Sequence, residues 1–114
     1  METRIIGGKK YRESLVISWS KLNLIEQLGN IGSEVGRAAK WCGVDEKSFQ
    51  GAVGRTFELF ELTLIDGRWN NYEHKKVKKM KELFADAVLG GYEYKSNLKD
   101  LEKYFMLFAL KAQS

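Results

Sequence analysis

Apolar residues recur at intervals of three and four along four long segments of this 114-residue chain. Such intervals place the apolar side chains on one face of an α-helix, and none of the segments shows the sustained alternation of a half-buried strand. The chain contains no proline, a residue that all-β and loop-rich proteins commonly use at turns. The sequence therefore predicts an all-α protein.

The predicted helices begin and end at residues that favour helix termini. The first runs from Ser18 or Ser20 to Trp41, and the second runs from an N-cap at Asp45 to about Ile65. The third runs from an N-cap at Asn70 or Asn71 to about Leu89. The fourth follows an N-cap at Asn97 and covers residues 98–112. Gly43, Asp66-Gly67 and Gly90-Gly91 supply the stops. Short connections between amphipathic helices favour a four-helix, up-and-down antiparallel bundle over residues 14–114, after an irregular N-terminal arm over residues 1–13.

Three glycines, Gly29, Gly32 and Gly36, lie along one border of the apolar face of the first predicted helix. Each costs up to about 1 kcal/mol relative to alanine inside a helix, so helix propensity does not explain them. Close approach of a neighbouring helix is the favoured interpretation. A ligand groove along the same border is the alternative.

The last predicted helix is apolar on more than one side. One face carries Leu98, Leu101, Phe105, Phe108 and Ala109. Met106, Leu107 and Leu110 project elsewhere. A helix of this kind needs more than one contact. We therefore expect either a central position in the bundle or a subunit interface, and a homodimer is the expected assembly.

The net charge and the cysteine count narrow the class of protein. The formal charge of +4 permits an acidic partner, such as RNA or an acidic protein, without requiring one. The single cysteine, Cys42, excludes an internal disulfide framework and a zinc site built on several cysteines. No segment approaches the roughly 20 apolar residues of a membrane span, and no secretory signal is recognisable, so we expect no membrane partner and a cytoplasmic location.

Metal and cofactor motifs are absent from the sequence. His74 is the single histidine, whereas a di-iron carboxylate bundle needs a Glu-x-x-His motif on two helices. Neither a Walker loop nor a GxGxxG motif is present. We therefore expect no metal and no cofactor.

The start of the third predicted helix is strongly basic. Seven residues there contain five lysines: Lys75, Lys76, Lys78, Lys79 and Lys81. A helix N-terminus already carries partial positive charge, and lysines three or four residues apart repel each other, so helix stability does not explain the cluster. One interpretation is a solvated polar face. The other is a landing surface for phosphates or an acidic protein.

Arg68 precedes His74 by six positions at the junction of the second and third predicted helices. This arrangement resembles the HEPN superfamily of compact helical bundles, many of which carry an arginine followed a few residues later by a histidine and act as metal-independent ribonucleases. The resemblance implies that His74 acts as general acid or base on a ribose 2′-hydroxyl and that Arg68 stabilises the phosphorane charge. It also implies a site assembled across a dimer.

A second resemblance is carried by residues 29–38 and 57–61. These segments look like small prokaryotic helical-bundle proteins of unassigned function, and like the four-helix proteins encoded within 23S rRNA intervening sequences. This resemblance implies a bundle and no activity. The leading hypothesis is a cytoplasmic helical-bundle interaction module that self-associates. The alternative is a HEPN-like ribonuclease or RNA-binding protein that uses Arg68 and His74.

Overall fold

The computed structural model describes residues 13–113. Within that range the chain forms five α-helices and no β-strand, which confirms the predicted all-α fold. Residues 13–20 lie in α1, and the other helices are α2 (Leu24–Trp41), α3 (Glu46–Leu64), α4 (Asn71–Val88) and α5 (Leu98–Ala112). The predicted count of four helices is corrected to five in this part of the chain, because α1 is separate from α2. The predicted arm over residues 1–13 lies outside the described residues, apart from Glu13, which is helical.

A capping box explains why α1 and α2 are separate helices. The Asn23 side-chain oxygen accepts a hydrogen bond from the Glu26 backbone N–H at 2.8 Å, and the Glu26 carboxylate accepts one from the Asn23 N–H at 3.0 Å. This reciprocal pair satisfies N–H groups that a helix start leaves unpaired. The first long helix therefore begins at Leu24, and not at Ser18 or Ser20, which lie in α1.

The other predicted helix starts are confirmed by their caps. The side chain of Asp45 caps α3, that of Asn70 caps α4, and that of Asn97 caps α5. Asn70 forms a second capping box, because the Glu73 carboxylate accepts a hydrogen bond from its backbone N–H at 3.1 Å. Gly43 follows α2 with a φ of 75°, a left-handed conformation that glycine adopts without a side-chain penalty.

The three glycines of α2 face α5 at very short distances. Side chains built on Gly29, Gly32 and Gly36 would contact Ala109, Phe105 and Glu102, in that order. Residue numbers rise along α2 as they fall along α5, so the two helices are antiparallel. The predicted close approach of a neighbouring helix is therefore confirmed, and α5 occupies the glycine border.

Two further helix pairs make side-chain contacts, and the α3–α4 pair is also antiparallel. Between α2 and α3, the Glu34 carboxylate accepts a hydrogen bond from Arg55 Nε at 3.0 Å. Between α3 and α4, the rings of Phe57 and Phe84 lie 5.1 Å apart, and Lys81 forms an ion pair with Glu61. Within the α3–α4 pair, the residue numbers again rise on one helix as they fall on the other.

The buried side chains form one cluster to which all five helices contribute. Its aromatic centre is Phe60 of α3, whose ring lies 6.2 Å from that of Phe84 and 6.1 Å from that of Phe105. The contribution of α1 is Trp19, which is buried and donates a hydrogen bond from Nε1 to Thr63 Oγ1 at 3.0 Å. This contact anchors α1 to the C-terminal half of α3.

Candidate functional site

A buried glutamine connects three parts of the chain next to Arg68. Gln27 of α2 is fully buried, and its Nε2 donates to the Trp19 carbonyl at 3.1 Å and to Asp66 Oδ2 at 3.1 Å. Its Oε1 accepts a hydrogen bond from Trp69 Nε1 at 3.2 Å. We call this set, together with Arg68, the Gln27 network. It joins the end of α1, the start of α2 and the α3–α4 loop.

Arg68 is held within this network by four contacts. Its Nε donates to Asp66 Oδ1 at 3.0 Å, and its Nη2 donates to Asp66 Oδ2 at 2.7 Å and to the Leu22 carbonyl at 2.6 Å. The guanidinium also lies 4.5 Å from the centre of the Trp69 ring. Bidentate pairs of this kind are directional and stronger than neutral hydrogen bonds. The side chain therefore fastens the α3–α4 loop to the α1–α2 junction.

The electrostatics of the pair follow from these contacts. The hydrogen bond from Arg68, the largest cause, lowers the pKa of Asp66 to about 2, since it stabilises the ionised carboxylate. The hydrogen bond to Asp66 in turn raises the pKa of the Arg68 guanidinium above its ordinary value. Both side chains are thus charged throughout the neutral range.

His74 has a different partner at the start of α4. The side chain is exposed, and its Nε2 lies 3.1 Å from the Leu64 carbonyl. Leu64 is the last residue of α3, so this carbonyl is among those that lack an intrahelical partner. A carbonyl oxygen only accepts hydrogen bonds, so Nε2 is the donor in this contact. His74 therefore ties the start of α4 to the end of α3.

The structure places Arg68 and His74 at the same junction and gives each its own partners. Among residues 13–113, no hydrogen bond joins the two side chains. Ribonuclease chemistry at this pair stays a prediction. It requires the Arg68 guanidinium to bind a phosphate in addition to its present partner, Asp66.

Among residues 13–113, two of the five predicted binding lysines take part in ion pairs. Lys81 pairs with Glu61 of α3 and lies partly buried at the edge of the core. Lys79 Nζ lies 3.9 Å from Glu82, and both side chains are about half exposed, so this pair contributes little to stability.

Exposed tyrosines accompany the lysines on α4. Lys79 Nζ lies 3.8 Å from the centre of the Tyr94 ring, and Lys76 Nζ lies 5.0 Å from the centre of the Tyr72 ring. Lys75 and Lys78 are exposed, and neither has an ion pair within the described range. The lysine cluster is thus mixed with aromatic rings, an association that the sequence alone did not suggest.

Tyr94 is positioned by Asp86, a residue that was not singled out from the sequence. Asp86 is buried and accepts hydrogen bonds from the N–H groups of Glu93 at 2.9 Å and Tyr94 at 3.1 Å, and from the Ser96 hydroxyl at 2.6 Å. The Ser96 hydroxyl is the largest cause of its lowered pKa. In sequence, Asp86 resembles any polar residue near a helix end, so no local signal marks its role.

The predicted second apolar side of α5 is exposed in the structure. Met106 is 52% exposed, Leu107 62% and Leu110 57%. We call these three residues the α5 apolar patch. The neighbouring side of the helix packs on the glycines of α2, and Met106 lies at the border between the two sides.

No group of three or more histidine, cysteine, aspartate or glutamate residues suited to a metal ion occurs in the described part of the chain. None of the helices in that part is long and apolar enough to cross a membrane. Comparison of the chain with protein-family models, with curated proteins and with solved structures gave no match.

Proposed function

We propose that this protein is a cytoplasmic helical interaction module that self-associates as a homodimer through α5. The α5 apolar patch is the observation that carries the proposal. Exposed apolar clusters on small proteins commonly mark contact sites. In this proposal α2 to α5 act as a four-helix up-and-down bundle, α1 is added to it, and the exposed Cys42 thiol fits a reducing compartment.

The two sides of α5 support this assignment. Phe105 on the inner side is fully buried against α2 and α3. Met106 and Leu107 are the next two residues and are more than half exposed. A second copy of the chain would cover these side chains and remove their apolar area from water, the main favourable contribution to most protein association.

Light scattering on the purified protein tests self-association directly. We expect twice the 13.1-kDa chain mass for the wild type and the mass of one chain for Leu107→Glu. Leu89→Glu is the matched control, since Leu89 is an exposed leucine at the end of α4 and should leave the dimer intact. Circular dichroism verifies that each variant is folded. A wild-type protein at monomer mass, or a dimer unaffected by Leu107→Glu, contradicts the proposal.

The ribonuclease alternative ranks second, because the Arg68 guanidinium already has three hydrogen bonds to protein acceptors. The observation in its favour is the exposed His74 ring. If the alternative is right, His74→Ala lowers the rate of RNA cleavage on the order of 10²-fold or more, the usual share of one general acid or base. Equal cleavage by wild type and His74→Ala, or no cleavage by either, excludes it.

A further inference from the structure

One face of α4 presents tyrosines and lysines in a continuous row. Tyr72, Lys75, Lys76 and Lys79 are three, four and seven residues apart, spacings that share a side of a helix. At its end the Tyr94 ring lies under Lys79 Nζ at 3.8 Å. We call these five residues the tyrosine–lysine strip. Tyr72 and Lys79 are about 10 Å apart along the helix axis.

The fold itself does not require this strip. Tyr72 is 68% exposed and Tyr94 39% exposed, so neither ring is part of the core. Lys75 and Lys79 are four residues apart on α4, a spacing at which like charges repel, so helix stability does not explain them. The ion pair of Lys79 with Glu82 is exposed and weak. Packing and helix stability therefore do not explain why lysines and exposed rings occur together on this face of α4.

We infer that the tyrosine–lysine strip binds single-stranded nucleic acid. Lysine side chains neutralise the phosphates of a strand, and exposed aromatic rings stack on its bases irrespective of sequence. In a duplex the bases are already stacked, so the rings would gain nothing. An acidic protein would use the lysines but has no need of ring faces.

The lysine–tyrosine contacts are compatible with this role. A cation over a tyrosine ring at an exposed site is a weaker contact than a base stacked on the same ring. A bound strand would therefore displace Lys79 from the Tyr94 ring and Lys76 from the Tyr72 ring. Each freed ammonium group would remain close enough to contact a phosphate of the strand.

Acidic side chains bound the strip at one end. Tyr94 also lines a groove that contains Glu82, Asp86 and Glu93. These carboxylates would repel phosphates, so the strand would run from Tyr94 towards Tyr72 and not past Tyr94. Removing the charge nearest the strip, in Glu82→Gln, should strengthen binding.

Fluorescence anisotropy of the full chain tests the inference. The probes are labelled oligouridylate and oligothymidylate of about 12 nucleotides, within the usual range of single-strand sites, a duplex of the same length, and a polyglutamate peptide. We expect both single strands to bind more tightly than the duplex or the peptide. The slope of log association constant against log salt should be about −2, because three lysines contribute roughly −0.7 each.

Matched variants separate stacking from charge. Tyr72→Ala and Tyr94→Ala should each weaken single-strand binding about tenfold with little change in salt dependence. Lys75→Gln and Lys79→Gln should weaken binding and flatten the salt slope by about 0.7 each. Lys40→Gln is the control, since Lys40 lies 5.0 Å over the Trp41 ring on another helix and should change nothing. Tyr72 is 68% exposed and is not part of the core cluster, so Tyr72→Ala remains a valid test if Tyr94→Ala disturbs the α4–α5 loop.

The outcomes decide between ligands and do not depend on self-association. Tighter binding of oligouridylate identifies RNA, and equal binding identifies single strands in general; both support the inference. The inference is overturned if the duplex binds as tightly as the single strands and the tyrosine variants bind like the wild type. That result would indicate a surface that binds by charge alone. Preference for polyglutamate, or no binding of either single strand, also overturns it. Leu107→Glu should bind as the wild type does, whatever its mass.

Discussion

Gly32 of α2 leaves no room for a side chain against Phe105 of α5. A Cβ atom built on Gly32 would lie 2.6 Å from the Cβ of Phe105, a separation that real Cβ atoms essentially never show. Phe105 is fully buried and contacts the Phe60 ring, so it has little freedom to move. Of the three glycine contacts, this is the shortest, and it marks the closest approach of α2 to α5.

The first prediction concerns this contact. Gly32→Ala should destabilise the protein by about 1–3 kcal/mol, because α2 and α5 must separate or Phe105 must repack. Chemical denaturation monitored by circular dichroism measures the change.

Gly54→Ala is the matched control for Gly32→Ala. Gly54 lies on the exposed side of α3, and nothing lies within 4 Å of a Cβ built there. This substitution should stabilise the protein by about 0.5–1 kcal/mol, the helix-propensity gain alone. Equal effects of the two substitutions would mean that the α2–α5 distance is not set by Gly32.

The second prediction concerns the attachment of α1. Trp19→Ala should cost about 3–5 kcal/mol, the usual loss for a large aromatic side chain removed from a core. It also removes the hydrogen bond from Trp19 Nε1 to Thr63. Ile17→Ala is the control, because Ile17 is exposed on the same helix and should change stability by less than about 0.5 kcal/mol. A small effect of Trp19→Ala on thermal unfolding would show that α1 is not part of the cooperative unit.

The third prediction concerns acid stability. Asp66 has a pKa of about 2 in the folded chain against an ordinary value of 3.8, so its ionised form stabilises the fold. This contribution is complete above about pH 4 and is lost as the pH falls from 4 towards 2. Because the partner Arg68 is half exposed, solvent screening limits the loss to about 1–2 kcal/mol.

Asp66→Asn isolates this contribution. The variant should be less stable than the wild type at pH 7, and the difference should shrink between pH 4 and pH 2. Urea denaturation at several pH values measures both curves. If the difference is constant over this range, the ionisation of Asp66 does not contribute to folding.

The sequence predicted the long helices well because their determinants are local. A cap at Asp45, Asn70 or Asn97 acts within the next three residues, and the apolar period that follows is read along the same segment. α1 was missed for the opposite reason. Its buried side chain, Trp19, is stabilised by Thr63, which lies 44 positions away. No local pattern in the sequence indicates such a partner.

Buried polar residues also depend on distant partners, and the sequence did not indicate that they are buried. Helical periodicity treats a polar side chain as solvent-exposed, yet Gln27, Glu34 and Asp86 are buried. Each is satisfied by partners from other elements: Trp69 for Gln27, for example, and Arg55 for Glu34. The lysine cluster was visible in the sequence, but its association with Tyr94 depends on the loop that Asp86 holds. The lysine cluster could thus be predicted from the sequence, whereas its contact with the Tyr94 ring is seen only in the folded structure.

The last prediction concerns Arg68 and separates a structural role from a catalytic one. Arg68→Ala removes the hydrogen bonds to Asp66 and to the Leu22 carbonyl, and it leaves the largely buried Asp66 carboxylate without its main partner. We expect the free energy of unfolding at pH 7 to fall, because the carboxylate is left without this partner, and to fall by more than in His74→Ala. His74→Ala removes only one hydrogen bond at the exposed end of α3 and should cost less than about 1.5 kcal/mol. Paired denaturation curves of the two variants measure this difference. If Arg68→Ala is as stable as the wild type, the guanidinium is not needed to hold the α3–α4 loop and is free to serve a ligand.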